Sequence, residues 1–369
     1  MAEEKNTLTF LVYGDPHFKG DNKQETDLME IQSKELILKL NPDFVVVLGD
    51  ILHTHEKVDL LANTRATSFL RTLKSVSKHL YVLIGNHDLQ GDKDFLSGNH
   101  VFNSLKEWDR TTLVDDVIIH EHKVGNGVAK FCFSPYTPVT RLAEALKTKG
   151  LEAPYPDITC LFAHQEFKGC QMGAIKSTNG DEWAPENPLC VSGHIHEFDK
   201  LKDNMIYCGT PIQSNYGDKG FKSISLFTFG NFEGKRGSLI NHEHIVLDIP
   251  KRLNLHMNVD ELIEYAKIIP NPRDKIKIKI KDGIIKIQHA LLTENVIRLK
   301  NAGVILIPID TTESAAKLIP QNVRTKIAFQ KRLGYAIESL TNPAMKAEFY
   351  ELFPNMQNMQ PQVTLKIAN

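Results

Sequence analysis

Five short polar segments, each directly after a run of apolar residues, constrain what this 369-residue chain can fold into. The apolar runs cover residues 8–13, 44–48, 80–84, 158–163 and 189–192, and each has the length of a buried β-strand. Potential metal ligands follow them: Asp15, His17, Asp50, Asn86, His164, His194 and His196. Because binding residues of layered α/β folds collect beyond strand ends, the pattern predicts an α/β protein with these side chains at one sheet edge.

The same residues have the chemistry to hold two metal ions. Two divalent ions about 3.5–4 Å apart suit phosphoester hydrolysis, because together they stabilise the attacking and the leaving oxygen. Asp50 is the natural bridge, since a carboxylate offers one oxygen to each ion. Mixed nitrogen and oxygen ligands favour transition metals. We therefore predict two divalent ions, with Mn²⁺ first and Fe²⁺, Zn²⁺ or Mg²⁺ as alternatives.

Each segment taken singly has an ordinary explanation. His17 or His164 alone could be a structural histidine, Asp50 could cap a helix, and Asn86 could be a turn residue. The ordered set, with every member directly after an apolar run, favours the metal centre over these explanations.

The order Asp-x-His, Gly-Asp, Gly-Asn-His-Asp, His and Gly-His-x-His resembles the calcineurin-like metallophosphoesterase superfamily over about the first 230 residues. The resemblance implies a β-sandwich flanked by helices, with a metal-bound water or hydroxide as the nucleophile. It implies that His87 contacts the scissile phosphate and protonates the leaving oxygen, a role that imidazole fills well. The first metal would be held by Asp15, His17, Asp50 and His196, and the second by Asp50, Asn86, His164 and His194.

The residues after Asp50 separate branches of that superfamily. Its protein phosphatases carry Gly-Asp-x-x-Asp-Arg-Gly, whereas residues 49–55 read Gly-Asp-Ile-Leu-His-Thr-His. His53 resembles the branch that holds the SbcD-type nuclease subunit of double-strand-break repair and its phage counterparts, as do residues 161–165 and 209–213. The resemblance implies a DNA exo- or endonuclease of repair or recombination, in which His53 orients the nucleic acid or His87. A simple loop histidine is the alternative for His53.

Other functions stay open at this point. The same metal site supports a phosphodiesterase or phosphatase that acts on a small molecule or a phosphoprotein. A non-catalytic scaffold of the same fold is a second alternative, although no ligand is missing from the sequence. A nucleic-acid-binding module with purely structural metals is a third.

Composition and the first residues of the sequence indicate the cellular compartment. No apolar run reaches membrane-spanning length, and residues 1–6 lack the basic and apolar regions of a secretory signal. The five cysteines are odd in number and show no Cys-x-x-Cys spacing, which is typical of reduced thiols. We expect an intracellular protein of cytoplasm or nucleus, neither secreted nor membrane-bound.

The C-terminal third differs from the rest in charge and pattern. Residues 251–369 hold 18 Lys and Arg against 11 Asp and Glu, whereas residues 1–250 hold 26 against 34. We predict a catalytic domain at 1–250, a cap domain at 251–310 and a helical partner-binding segment at 311–369. The basic part is compatible with DNA as a partner.

Alternating Lys and Ile at 275–281 predict a strand, Asp282-Gly283 a hairpin turn, and residues 284–287 the returning strand. With strands at 253–257 and 304–307 and helices at 259–267 and 293–300, the order is βαββαβ, as in the cap of the SbcD-type family. Lys275, Lys277, Lys279 and Lys281 are candidates for contacting nucleic-acid phosphates. Alternatively, they protect an edge strand from aggregation.

Two helical stripes follow the predicted cap. Phe329, Leu333, Ile337 and Leu340 form the first, and Met345, Phe349 and Leu352 form the second after Asn342-Pro343. The resemblance implies that this segment binds the coiled coil of an SMC-like ATPase subunit of the SbcC type. Packing on the chain itself is the alternative, and a homodimer is a further expected assembly.

Overall fold

The computed structural model describes residues 6–311 except 56, 92, 219, 220, 234, 269 and 272, together with residues 347 and 349–351. The chain divides into two compact units. The first comprises Met1–Asn254 and Pro270–Ile276, and the second comprises Leu255–Ile269 and Lys277–Asn369. Residues 347 and 349–351 are helical, whereas the other residues of the two predicted C-terminal helices, including Leu333 and Ile337, lie outside the described residues.

The first unit is built from fourteen strands and three α-helices among the described residues. In chain order they are β1 (Leu8–Tyr13), α1 (Lys23–Leu40), β2 (Phe44–Val47), α2 (Leu60–Val76), β3 (Leu80–Leu83), β4 (Thr111–Val114), β5 (Ile118–Val124), β6 (Gly127–Ser134), α3 (Leu142–Lys147), β7 (Cys160–His164), β8 (Gln171–Met172), β9 (Ile175–Lys176), β10 (Leu189–Gly193), β11 (Asp199–Lys202), β12 (Met205–Tyr207), β13 (Ile224–Gly230) and β14 (Ser238–Ile245). A short 3₁₀ helix covers Asn103–Glu107.

Two six-stranded mixed sheets form the body of this unit. Their strand orders are β14-β13-β1-β2-β3-β4 and β11-β12-β10-β7-β6-β5. The strands β1 to β4 pair in parallel, and so do β6, β7, β10 and β12. Parallel neighbours need crossover connections, which α1 and α2 provide in the first sheet. The predicted α/β class, with sheets flanked by helices, is confirmed.

The core explains why the predicted strands are almost continuously apolar. Side chains from both sheets meet in one cluster, in which the ring of Phe10 lies 4.5 Å from Phe131 and 5.0 Å from Phe162. The opposite faces of the same strands pack on helices, so Val45 and Val47 contact the cluster that contains Phe69 of α2. Strands buried on both faces read as unbroken hydrophobic runs rather than alternating ones.

The chain continues with a small three-stranded sheet and three helices. These are β15 (Arg252–Met257), α4 (Val259–Tyr265), β16 (Lys275–Asp282), α5 (Ile284–Leu291), α6 (Glu294–Asn301) and β17 (Ile305–Asp310), with strand order β15-β16-β17. The predicted strands near 253–257 and 304–307 and the helices near 259–267 and 293–300 are confirmed within a few residues.

The predicted hairpin at Asp282-Gly283 is wrong. Residues Ile284–Leu291 form α5, so the order is βαβααβ rather than βαββαβ. Gly283 has φ −63° and is the residue preceding the helix, whereas the predicted turn needs positive φ. Ile287 and Ala290 are buried at helical spacing, and the parallel pairing of β16 with β17 requires a crossover.

The lysines of β16 do not lie on an edge strand, so that alternative is also wrong. β16 is the central strand of its sheet, with Ile276, Ile278 and Ile280 buried on one face. On the other face, Lys275 forms an ion pair with Glu25 at 2.8 Å, and Lys281 is exposed. Contact of these lysines with nucleic acid stays a prediction.

In the described part of the chain, no helix has the length and apolar character needed to cross a bilayer.

Candidate metal centre

The ends of five strands and the loops after them bring the seven predicted ligands together. Asp15 and His17 follow β1, Asp50 follows β2, Asn86 follows β3, His164 ends β7, and His194 and His196 follow β10. Two donor groups result, in each of which the ligand atoms lie within 4.8 Å of one another: Asp15 with His17 and His196, and Asp50 with His164 and His194. A third group contains His17 from the first group, Asp50 from the second, and His87.

Short distances join the donor atoms within each group. His17 Nε2 lies 2.9 Å from His196 Nε2. The amide oxygen of Asn86 lies 3.1 Å from His164 Nε2 and 3.0 Å from His194 Nδ1. His164 Nε2 is also 3.3 Å from Asp50 Oδ1, and His17 Nε2 is 3.9 Å from Asp50 Oδ2. Asp50 therefore faces ligands of both groups, as a bridging carboxylate must.

The backbone fixes the orientation of the ligands. The Nδ1 of His164 lies 2.7 Å from the carbonyl oxygen of Leu48, to which it can donate, so Nε2 is left for a metal. Asp15 accepts hydrogen bonds from the backbone N–H of His194 at 2.9 and 3.1 Å. His17, Asp50 and His194 have φ of 47°, 46° and 80°, a left-handed conformation that side-chain-bearing residues adopt at a strain commonly stored at functional sites.

Burial and charge shift the ionisation of the cluster. Burial raises the pKa of Asp15 well above its usual range. Burial would do the same to Asp50, but the neighbouring imidazole of His164 holds the pKa of Asp50 well below its usual range. Burial would lower the pKa of His164, yet the carboxylates of Asp50 and Asp15 raise it to about 9. Burial lowers the pKa of His194 to about 3, so that imidazole is neutral near pH 7.

The donor set fits divalent cations. With Nδ1 of His17 facing the carbonyl oxygen of Leu52 at 3.4 Å, its Nε2 points toward the Nε2 of His196, so two ring nitrogens converge on one region. Burial lowers the pKa of both imidazoles, which favours lone pairs over protons at these nitrogens. Neutral imidazoles and carboxylates are the ligands of transition-metal sites, and a cation bound beside Asp50 would take the place of the proton that Asp50 and Asp15 favour on His164.

His87 lies at the edge of this donor set, with a ring nitrogen within 4.8 Å of ligand atoms of His17 and Asp50. Its Nδ1 lies 2.6 Å from the carbonyl oxygen of His53, and its Nε2 lies 3.8 Å from Asp50 Oδ2. When Nδ1 donates to that carbonyl, Nε2 is the nitrogen that gains or loses the second proton of the ring, and burial lowers the pKa of the imidazole. The ring of His53 lies 6.0 Å from His87, while its buried Nδ1 has no hydrogen-bond partner. The backbone of His53 therefore contacts His87 directly.

Two further residues belong to the site and were not predicted. The ring of His55 lies on His87, with 3.7 Å between centroids. Asp88 is buried and accepts backbone N–H groups of Ile51, Leu52 and Gly85 at 3.2, 3.0 and 3.0 Å. Burial and the nearby Asp50 raise the pKa of Asp88 to about 7. His55 stands two residues after His53, and Asp88 ends the Gly-Asn-His-Asp segment, so both were adjacent to recognised signals.

Glycines immediately before the ligands allow the strand ends to approach closely. A Cβ on Gly193 would lie 2.5 Å from Asp15 Oδ1 and 2.9 Å from His164 Nδ1. A Cβ on Gly85 would collide with the backbone nitrogen and the carboxylate of Asp50. Any side chain at either position would push two ligand-bearing loops apart.

Two separate cavities border the site, one beside His87 and the other beside His194 and His196. One has a volume of about 370 Å³ and includes His87, Lys57, Gln90 and His100 among its lining residues. The other has a volume of about 300 Å³ and is lined by Gln171, Met172, Gly173, His194, Ile195, His196, Glu197, Gly217 and Asp218. They share no lining residue. A larger cavity of about 650 Å³ beside Phe232 contains none of the predicted site residues.

Comparison with known proteins agrees with the chemistry of this centre. The model of the calcineurin-like phosphoesterase family matches residues 8–198. "Putative phosphoesterase 244L" of Invertebrate iridescent virus 6 is 36% identical over 272 residues, which are 73% of this chain and 92% of that protein. "Putative phosphoesterase 078R" of Invertebrate iridescent virus 3 is 38% identical over 262 residues, which are 70% and 72% of the two chains. Among solved structures, GAP50, the anchor in the inner membrane complex of Plasmodium, is 16% identical with a TM-score of 0.38, covering 66% of this chain and 90% of that one.

Proposed function

The chain belongs to the calcineurin-like phosphoesterase family, and we propose that it is a two-metal phosphodiesterase. The observation that carries this proposal is the pair of nitrogen and oxygen donor groups that face the same Asp50, with His87 held beside them. Hydrolysis of a phosphoester needs stabilisation of both the attacking and the leaving oxygen, which two adjacent ions supply together with an activated water. Mn²⁺ is the metal we propose first, because the donors mix imidazole with carboxylate.

The residues of the chain have separate roles in this reaction. Asp15, His17 and His196 would hold one ion, Asn86, His164 and His194 the other, and Asp50 both. Because the His53 carbonyl would hold the Nδ1 proton of His87, Nε2 is the nitrogen that would carry the second proton of the imidazolium form and give it to the leaving oxygen. Asp88 keeps the loops of Asp50 and Asn86 together through three backbone hydrogen bonds.

A diester is favoured over a monoester by the cavities around the centre. A diester carries one alcohol group that leaves and one that stays on phosphorus, so it occupies space in two directions. The cavity beside His87 and the cavity beside His194 and His196 are distinct and are both of ligand size. A phosphomonoester would need only the first of them.

Hydrolysis assays test this proposal directly. The protein loaded with Mn²⁺ should cleave bis(p-nitrophenyl) phosphate faster than p-nitrophenyl phosphate, and chelation should eliminate both activities. Ca²⁺ should not restore them, because it prefers all-oxygen ligands. Faster cleavage of the monoester would make the protein a phosphatase, and cleavage of neither ester with any divalent metal would favour the non-catalytic scaffold.

DNA as the diester is the second candidate that we propose. The contact between His53 and His87 supports it, since the His at this position is the residue that resembles the nuclease branch. Lys277, Lys279 and Lys281 share one face of β16 and are candidates for phosphate contacts. Reversing these three charges should flatten the salt dependence of DNA binding without changing aryl diester cleavage. Reversing the exposed Lys39, Lys147 and Lys200 is the matched control, and equal slopes for both variants would remove β16 from the DNA site.

A coiled-coil ATPase and a homodimer remain proposals for the partners of this protein. The apolar positions that would bind the ATPase, such as Leu333 and Ile337, lie outside the described residues. Replacing both by Ser should abolish capture of such an ATPase and leave aryl diester cleavage intact. Loss of both properties would show instead that these residues stabilise the chain's own fold.

A further inference from the structure

We propose that Met172, in the hairpin formed by β8 and β9, builds an apolar subsite for the alcohol group that stays on phosphorus when a diester is cleaved. The inference rests on the proposed phosphodiesterase function and specifies the substrate on one side of the site. An uncharged aromatic or similarly bulky group is the ligand that fits this subsite.

The hairpin is anchored to the metal centre through the residues after His164. Gln165 is fully buried, and its Nε2 donates to Asp181 at 2.7 Å. Asp181 also joins the base of the hairpin, because its backbone N–H donates to Glu166 and its carbonyl accepts from Lys168. The chain between Gln165 and Asp181 therefore leaves and re-enters the fold at a ligand-bearing strand end, and the hairpin has a fixed base.

The cavity that the hairpin borders is adjacent to two metal ligands and is poor in free charge. His194 and His196 line it on one side, and Met172 and Gly173 line it on the other. Glu197 is paired with Lys222 at 3.2 Å, and Asp218 accepts backbone N–H groups of Ser214 and Asn215. No Lys or Arg occurs among the described residues of this lining, so the cavity suits an organic group rather than a second phosphate.

The position of His87 decides which ester group occupies this cavity. In the proposed reaction the oxygen of water forms a bond to phosphorus while the bond from phosphorus to the leaving oxygen breaks. That oxygen takes a proton from His87. The attacking water releases a proton, which restores the one that His87 gave, and the other ester bond stays intact. Because His87 lines the other cavity, the leaving group lies there, and the retained group lies against Met172.

The exposure of the hairpin supports a binding role and offers a control. Met172 is 41% exposed and Ile175 is 72% exposed, although both are apolar. Met172 lines the cavity, whereas Ile175, its partner in the hairpin pairing, does not. A methionine adapts its shape to different apolar groups, which suits a subsite that contacts only the retained part of a substrate.

Two diesters with the same leaving group test the subsite. Bis(p-nitrophenyl) phosphate retains an aryl group after cleavage, and methyl p-nitrophenyl phosphate retains only a methyl group. With Mn²⁺ present, Met172→Ala should lower kcat/KM for the aryl diester by about three- to tenfold, the effect of covering part of a methionine side chain. The same variant should cleave the methyl diester at the parental rate, and Met172→Leu should restore the aryl preference.

Ile175→Ala is the matched control, since it truncates an exposed apolar residue of the same hairpin outside the cavity. It should change the cleavage rate of neither diester. Equal effects of Met172→Ala on both diesters, or no effect on either, would overturn the subsite while leaving the phosphodiesterase intact. Failure of the parent protein to cleave either diester would instead overturn the proposed function, and the subsite with it.

Discussion

Two histidine-rich regions of the first unit differ in whether carboxylates lie among the imidazoles. At the metal centre, imidazoles converge with the carboxylates of Asp15 and Asp50. In the second region, the peripheral histidine cluster of His79, His120 and His122, the rings of His79 and His120 lie against Tyr81 and the ring of His122 lies near His120. There His120 Nδ1 lies 2.6 Å from the hydroxyl of Tyr81, and His79 Nε2 lies 2.9 Å from that of Thr112.

The difference shows that nearby carboxylates, rather than the number of histidines, distinguish the candidate metal centre from the peripheral histidine cluster. Within the described part of the chain, three or more His, Cys, Asp or Glu donors come within 4.8 Å only at the metal centre. The rings of His79 and His120 are 6.3 Å apart, as are those of His120 and His122. Hydroxyl partners stabilise neutral imidazoles, whereas buried carboxylates supply the negative charge that a divalent cation needs.

The largest effect should come from Asp50, which faces both donor groups. Asp50→Ala removes that carboxylate, so metal content should fall sharply and diester hydrolysis should drop by at least about a thousandfold, since the metals contribute several kcal/mol. Elemental analysis and turnover measure this. His120→Ala in the peripheral histidine cluster is the control and should retain the parental metal content and the parental rate of diester hydrolysis. Loss of metal from His120→Ala would show that the peripheral histidine cluster also contributes to metal binding.

His87 should give the next largest effect by a different route. His87→Ala removes none of the seven predicted ligands, so metal content should stay parental while kcat falls by roughly 10²- to 10⁴-fold, as for loss of a general acid. A substrate whose leaving group needs no proton should lose less. Metal loss as complete as in Asp50→Ala would show that His87 is a ligand rather than the acid.

A smaller effect is expected at His55, whose ring lies on His87 at 3.7 Å. His55→Ala should lower kcat by about three- to tenfold with KM unchanged, because a ring contact of this kind contributes about 0.5–1.5 kcal/mol. His55→Phe keeps the ring contact and should restore kcat. If Phe fails to restore it, the imidazole itself takes part in proton transfer, and His55 is more than a positioning residue.

The smallest effect concerns acid stability at the peripheral histidine cluster. Burial lowers the pKa of His79, His120 and His122 from the ordinary value of 6.5. As pH falls below about 6.5, the unfolded chain takes up protons that the folded protein resists, so stability decreases. Because the rings are half-exposed, the parent should lose only a few degrees in Tm between pH 7.5 and 5.5. Replacing all three by Gln should reduce that loss without changing metal content.

The residues that meet at the candidate metal centre were predictable because each has its signal in a few neighbouring residues. A buried strand followed by Gly-Asp or Gly-His-x-His specifies both the element and the position of the ligand at its end. The alternation of Lys and Ile likewise specified β16 and its buried face.

Other features depend on partners that are remote in sequence. Asp282-Gly283 is compatible with a hairpin turn and with a helix start, and the parallel pairing of β16 with β17 decides between them. The contact of His55 with His87 and the position of Met172 near His194 arise only when separate loops meet. No local pattern identifies such contacts, so His55 and Met172 were not predicted.

The glycines before the ligands have a consequence for how this protein can vary. Gly85 and Gly193 carry no reactive atom, yet a single added methyl group at either would strike a ligand of another loop. A complete mutational scan should therefore find these positions as intolerant as the neighbouring Asn86 and His194. In such a scan, each glycine and the ligand candidate after it would form a pair of adjacent intolerant positions. Natural or engineered diversity should enter through the cavity walls rather than through the loops that carry the candidate ligands.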